Sequence, residues 1–153
     1  MAYANSFRCV VAIPTRELFS GDVYYADVPG FAGHYGVVKG HESLVATNHQ
    51  GGKLTLWLDP EGKETKTFLL HRGCTQMLHD HLAVLGRFGC DANDIDVDSV
   101  KEKAEKLRAK IEEMKAGEQD ETSEAQILTE EIHLSWYEAQ IDFAETGRES
   151  YKQ

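Results

Sequence analysis

The side chains best equipped for chemistry in this sequence are its histidines and the acids beside them. In His79-Asp80-His81 the two imidazoles fall on one face of an extended segment, where a pair of ring nitrogens can share a metal ion, and Cys74 or His71 would be the further ligands. No third ligand stands at a fixed spacing, so solvated residues at a hairpin turn are the plainer reading and no metal is expected. His41-Glu42 has the make-up of a general base and its orienter. Gly30-Phe31-Ala32-Gly33 is glycine-rich, but it does not lie between a strand and a helix, as a phosphate-cradling loop must. The chain is therefore not expected to hydrolyse nucleotide. Cys9, Cys74 and Cys90 are odd in number and match neither a disulfide framework nor a zinc pattern, which predicts reduced, buried thiols.

Those residues need a scaffold, and the sequence has room for one. A chain of 153 residues can bury one core, with or without an appendage, and 41% apolar with 27% charged residues is the composition of a globular protein. No apolar run approaches the roughly 20 residues of a membrane helix, and residues 1–5 show no targeting signal. The net charge of −10 excludes an unaided nucleic-acid binder, because phosphate rewards clustered Lys and Arg, and points to protein partners. The acid is concentrated at one end: residues 121–153 hold eight acidic side chains to two basic, against ten to eight over 1–94 and eight to six over 95–120.

Over residues 1–93, short runs rich in Val, Leu, Tyr and Phe are interrupted by Gly, Asp, Asn and Pro every eight to twelve residues, the rhythm of an antiparallel β-sandwich. The predicted strands are 7–13, 18–25, 26–28, 35–38, 44–47, 53–58, 65–70, 74–78 and 81–88. Asp59-Pro60-Glu61-Gly62 is a turn, Pro60 pre-setting φ and Gly62 tolerating a positive value, so 53–70 is a hairpin. Beyond Asp94 the period becomes helical. Val100, Ala104, Leu107, Ile111 and Met114 form a narrow heptad stripe opened by a capping box at Ser99 and Glu102. After Gly117, a second box at Ser123 and Gln126 opens a helix with Ile127, Leu134, Tyr137 and Ile141 on its stripe. The short loop makes the two helices an antiparallel hairpin over 96–147 with a seam of Val100, Leu107, Ile111, Ile127, Leu134 and Ile141, and residues 148–153 a frayed tail. The fold class is α+β, an N-terminal sandwich followed by a C-terminal two-helix hairpin.

The stretch Leu18-Phe19-Ser20-Gly21-Asp22-Val23, followed by Val28-Pro29-Gly30-Phe31-Ala32-Gly33-His34-Tyr35-Gly36-Val37-Val38-Lys39-Gly40-His41-Glu42-Ser43-Leu44, resembles the start of the ATP synthase epsilon subunit. The family pattern is an apolar-Phe-Ser-Gly start, a Gly-x-x-Gly turn and a Gly-Ile/Val-x-Pro-Gly-His-x-x-Leu segment. It continues through a Ser-Gly-Gly turn near Arg72-Gly73, a strand like 82–85, an Ile/Leu-Asp pair like Ile95-Asp96, and two helices. Lys39 stands where the family has Pro, Arg72 where it has the first Gly of the Gly-Gly turn, and His34 where it often has an acid. Gly21, Gly36 and Gly40 are retained, and are expected in tight turns between strands.

The resemblance implies a non-catalytic subunit of a central rotor stalk, peripheral on the cytoplasmic face of a bacterial membrane. It would couple c-ring rotation, driven by proton flow, to ATP synthesis through the gamma subunit, with the alpha/beta catalytic head as a further partner and no cofactor of its own. It places the ring contacts in residues 31–44, at His34, Lys39 and His41, and makes His41 a turn residue near the base of the sandwich. Some members bind ATP through an Ile/Leu-Asp-x-x-Arg-Ala motif. Here Ile95 and Asp96 keep the first pair, but Ser99 and Val100 replace Arg and Ala, so a phosphate would lack its guanidinium and ATP binding is not expected. Inhibitory members insert a basic second helix among the catalytic subunits; an acidic one favours a hairpin folded down on the sandwich. The residues alone leave two other classes open, an unrelated sandwich adaptor with a coiled-coil partner seam and a small metal-dependent enzyme using His79 and His81.

Overall fold

In the first strand, β1 (Phe7–Ile13), Phe7, Cys9 and Val11 are buried while Arg8 and Val10 are not, the period-two alternation of a half-buried strand. The computed structural model describes residues 3–149, and nine further strands follow. They are β2 (Arg16–Val23), β3 (Tyr25–Gly30), β4 (Gly33–Val37), β5 (Leu44–Thr47), β6 (Gln50–Trp57), β7 (Thr65–His71), β8 (Cys74–Leu78), β9 (His81–Leu85) and β10 (Phe88–Asp91). Two five-stranded sheets result, sheet A in the order β2-β1-β9-β8-β5 and sheet B in the order β10-β7-β6-β3-β4. Their inner faces share one core that includes Phe7, Val11, Leu54, Leu56, Phe68, Leu70, Met77 and Val84.

The segment expected as one strand over 81–88 is two. Gly86 and Arg87 break it, and β9 stays in sheet A while β10 joins sheet B, so the chain turns a corner of the sandwich there. All strand pairs are antiparallel except β1 with β9, which run parallel in register Arg8↔His81 to Ala12↔Leu85. The β6–β7 hairpin closes on Asp59 to Gly62 as read, with Gly62 at φ 72 and the Asp59 carboxylate accepting from the Glu61 N–H at 2.8 Å and from the Glu64 N–H. Of the retained glycines only Gly40, at φ 84, is in a turn. Gly21 and Gly36 sit inside β2 and β4, and a Cβ at Gly36 would lie 2.5 Å from the Tyr25 hydroxyl, so this glycine makes room for a ring on the next strand. The cysteines also divide. Cys9 is buried and Cys90 half-buried, and burial pushes both thiols up to about 12, but Cys74 is exposed on the outer face of β8.

The second unit, residues 95–148, holds α1 (Val97–Ala116) and α2 (Glu121–Thr146). Both helices begin a turn earlier than the capping boxes predicted. Asp96 caps α1, accepting from the Ser99 N–H at 3.2 Å, and Asp120 caps α2, accepting from the Ser123 N–H at 2.7 Å. Asp accepts at an N-cap as well as Ser does, and its charge also suits the positive end of the helix. The buried positions are Val100, Ala104, Leu107 and Ile111 on α1, and Ile127, Trp136, Ala139 and Gln140 on α2, with Leu134 and Ile141 half-buried. Ion pairs cross between the helices, Lys101 to Glu145, Arg108 to Glu138, Lys110 to Glu130 and Lys115 to Glu131, the start of α1 meeting the end of α2 as in an antiparallel pair. The acid concentrated in α2 thus answers the bases of α1.

Candidate functional site

Strands β8 and β9 meet at Leu78↔His81, leaving a two-residue turn of His79 and Asp80 at φ 49 and 59. Positive φ at both positions is the turn that matches the twist of a hairpin. The Asp80 carbonyl accepts the Arg8 N–H at 3.1 Å, and its carboxylate accepts the Gly40 N–H at 2.7 Å, which ties the β4–β5 loop, residues 38–43, to this turn. Within that loop the His41 N–H donates to the Val38 carbonyl at 3.1 Å, and Lys39 is exposed. One end of the sandwich therefore gathers Lys39, His41, His79 and His81.

The chemistry first weighed for these residues does not assemble. The His41 Nδ1 lies 2.7 Å from the backbone carbonyl of Glu42, not from its carboxylate, so no base and orienter pair forms. His81 Nδ1 lies 2.8 Å from the His79 carbonyl, folding the ring back on its own turn. Cys74 opens β8 and His79 follows its end, a separation of roughly 15 Å at the rise of a strand. His71 is buried at 1% exposure beside the Phe88 ring, and burial first, then the neighbouring cations, lower its pKa to about 4. Among the described residues no three His, Cys, Asp or Glu side chains are grouped to hold a metal.

His34 stands apart from Lys39 and His41, near the start of β4 on the outer face of sheet B. The register Asp27↔Gly36 and Pro29↔His34 makes Asp27 its diagonal neighbour on that face, and His34 Nδ1 lies 2.8 Å from the Asp27 carboxylate. Its Nε2 lies 2.7 and 2.8 Å from the two oxygens of Glu149, a residue that groups with the sandwich unit. Partial burial pulls the imidazole down, but the hydrogen bonds and charges of Glu149 and Asp27 outweigh it and the net shift is upward. Glu149 carries no legible sequence signal; residues 150–153 of the expected tail lie outside the described residues.

The other end of the sandwich is organised by Asn48, which the sequence reading passed over as a loop residue. It is 1% exposed, donates to the carbonyls of Leu85 at 3.0 Å and Arg72 at 3.4 Å, and accepts the Thr75 hydroxyl at 2.6 Å, so the β7–β8 turn, strand β8 and the end of β9 share one satisfied side chain. Next to it the β7–β8 turn holds Arg72 at φ 61 and Gly73 at φ 90. Sheet A presents an apolar outer face: Val45 is 75% exposed, and Leu78 and Leu85 are also exposed. One shallow groove, about 360 Å³, follows β5 and β8 along Leu44, Val45, Met77 and Leu78. Another, about 500 Å³, lies between Phe31, Tyr35 and Ala46. Asp96, half of the ATP-motif remnant with Ile95, serves as the cap of α1.

Similarity to known proteins follows this geometry. The ATP synthase epsilon chain of Caulobacter vibrioides is 33% identical over 79 residues, which cover 52% of this chain and 87% of that one. The chain belongs to the ATP synthase epsilon chain family. A second epsilon chain, from a Sulfurihydrogenibium species, is 28% identical over 114 residues, 74% of this chain and 83% of that one. No protein-family model matches the sequence. Among solved structures, a chain in the cryo-EM structure of the Euglena gracilis mitochondrial ATP synthase (OSCP/F1/c-ring) has the same fold. Its TM-score is 0.58 at 19% identity, over 88% of this chain and 78% of that one. Arg72, at φ 61, stands in the left-handed turn region that favours glycine.

Proposed function

We propose that this epsilon-family chain is a non-catalytic coupling subunit of the central rotor of ATP synthase. The sandwich, 1–93, docks on the gamma subunit and the c-ring, and the hairpin, 96–147, faces the alpha/beta head. The observation that carries the reading is the family membership, which extends across most of the relative's length. Its bacterial relatives favour a place on the cytoplasmic face of the cell membrane, and among the described residues no helix is long and apolar enough to cross a bilayer. Lys39 and His41 are the contacts for the polar loops of the ring, because both stand on a loop braced by Asp80 that can bear load without distorting the core. The third residue expected at the ring, His34, stands instead on the outer face of sheet B at the opposite end of β4, beside the Gly30↔Gly33 turn. Val45, Leu78 and Leu85 are the anchors for gamma, since an exposed apolar sheet face is what a stable protein interface covers.

Co-purification with tagged gamma and c subunits tests the assignment. The wild-type chain should be retained by both, Val45→Glu with Leu85→Glu should lose gamma, and Lys39→Glu with His41→Glu should lose the ring. Retention of the charge-reversed loop variant by the ring would remove Lys39 and His41 from the interface. Failure of the wild-type chain to bind either subunit would overturn the rotor reading.

A further inference from the structure

Both ring nitrogens of His34 face carboxylate oxygens, Nδ1 that of Asp27 and Nε2 those of Glu149. An ionised carboxylate only accepts hydrogen bonds and a neutral imidazole carries one N–H, so only the doubly protonated ring can donate to both acids.

A second observation concerns what Glu149 does for the sheet. Strand β6 pairs with β3 from Tyr25↔Trp57 to Asp27↔Thr55 and no further. The next partner in line is Pro29, which has no N–H, and its carbonyl accepts the His49 N–H at 2.9 Å. The Lys53 N–H is thereby left without a ladder acceptor from β3, and the Glu149 carboxylate accepts it. A half-buried amide without a partner is costly, so this contact completes the hydrogen bonding of sheet B.

We propose that Glu149 is the moving part of a pH-sensitive clasp, held on sheet B by protonated His34 and the Lys53 amide and released when His34 loses its proton. Among the described residues, the charged groups on the His34 side of sheet B include Asp27 from β3, Glu149 from the C-terminal segment and Lys53, whose side chain shares the outer face of β6. Tyr25, further along β3, has its phenol pushed up by burial and by Asp27 and stays uncharged through the range concerned. The net upward shift of His34 sets the sign. The clasp is fully formed below the ordinary histidine pKa of about 6.5 and is lost as pH rises through the higher folded value. A mildly acidic compartment closes it and an alkaline one opens it.

Histidine NMR titration and hydrogen exchange on the full chain between pH 6 and pH 9 test the clasp. His34 should titrate above its ordinary value. The Lys53 amide, corrected for its intrinsic exchange rate, should lose roughly tenfold protection across that titration. Glu149→Gln should abolish the pH dependence at Lys53 and lower the His34 midpoint, while Asp27→Asn should lower the midpoint but leave a pH-dependent Lys53 amide. A His34 that titrates at or below its ordinary value, or a Lys53 amide whose protection is constant across the range or unmoved by Glu149→Gln, would overturn the proposal.

Discussion

In the sandwich, side chains from eight of the ten strands meet in one core where Cys9, Val11, Leu54, Leu56, Leu70 and Val84 are fully enclosed. The hairpin buries four side chains on each helix and lines its flanks with ion pairs whose members are exposed or half-exposed. Apolar burial contributes about 25 cal/mol per Å², whereas an exposed ion pair contributes about 0 to 1 kcal/mol. The same chain therefore carries one unit held by packing and one held by a thin seam with charge along its edges.

The sharpest way to break the sandwich is Gly73→Ala. A Cβ there would sit 1.9 Å from the Leu85 carbonyl oxygen at φ 90, and backbone cannot retreat as a side chain can. A loss of about 3–5 kcal/mol is expected, read as failure to yield folded protein or a collapse of the urea midpoint. Arg72→Gly, one residue earlier at φ 61, should instead stabilise by about 1 kcal/mol. An Arg72→Gly variant that melts lower would show that the Arg72 side chain contributes more than its backbone conformation costs.

Leu107→Ala tests the seam. It should cost about 2–4 kcal/mol and lower the helical circular dichroism, while the emission of Trp57, which lies against Tyr3 and Tyr25 in the sandwich and is read with Trp136 of α2 replaced by Phe, stays native. Simultaneous loss of both signals would mean that the two units unfold as one.

His71 adds a pH test confined to the sandwich. Its folded pKa, about 4, is depressed below the ordinary value, so the unfolded chain binds the proton first as pH falls. The contribution of His71 should be constant above about pH 6.5 and fall by about 2–3 kcal/mol on acidification to pH 4, as followed by urea midpoints of Trp57 emission with Trp136 replaced by Phe. His71→Leu should flatten that dependence. The smallest effect belongs to the hairpin's edge: Arg108→Ala removes the pairs to Glu105 and Glu138 and should cost under about 1 kcal/mol. Most of that loss should vanish in high salt, which screens exposed charges.

Much of this architecture is written locally. The alternation in Lys53-Leu54-Thr55-Leu56-Trp57-Leu58, the Asp59 to Gly62 turn and the heptad stripe of α1 are properties of neighbouring residues, and each became the element its period required. The helix starts were misplaced by one turn because Asp96 and Asp120 compete with Ser99 and Ser123 for the same capping role. Only the cap geometry chooses between them.

What the tertiary structure decided are pairings between residues distant in sequence. The parallel pairing of β1 with β9, the turn and strands gathered on Asn48, and the buried surroundings of His71 have no periodic signature. The clasp is the extreme case, since His34 and Glu149 are 115 positions apart and the gap that Glu149 fills exists only because Pro29 falls opposite Lys53 once β3 and β6 are aligned. Sequence periodicity determines which face of an element is apolar. Which acid meets which imidazole depends on the register of strands and the path of the chain end, and those are settled only when the sheets pack.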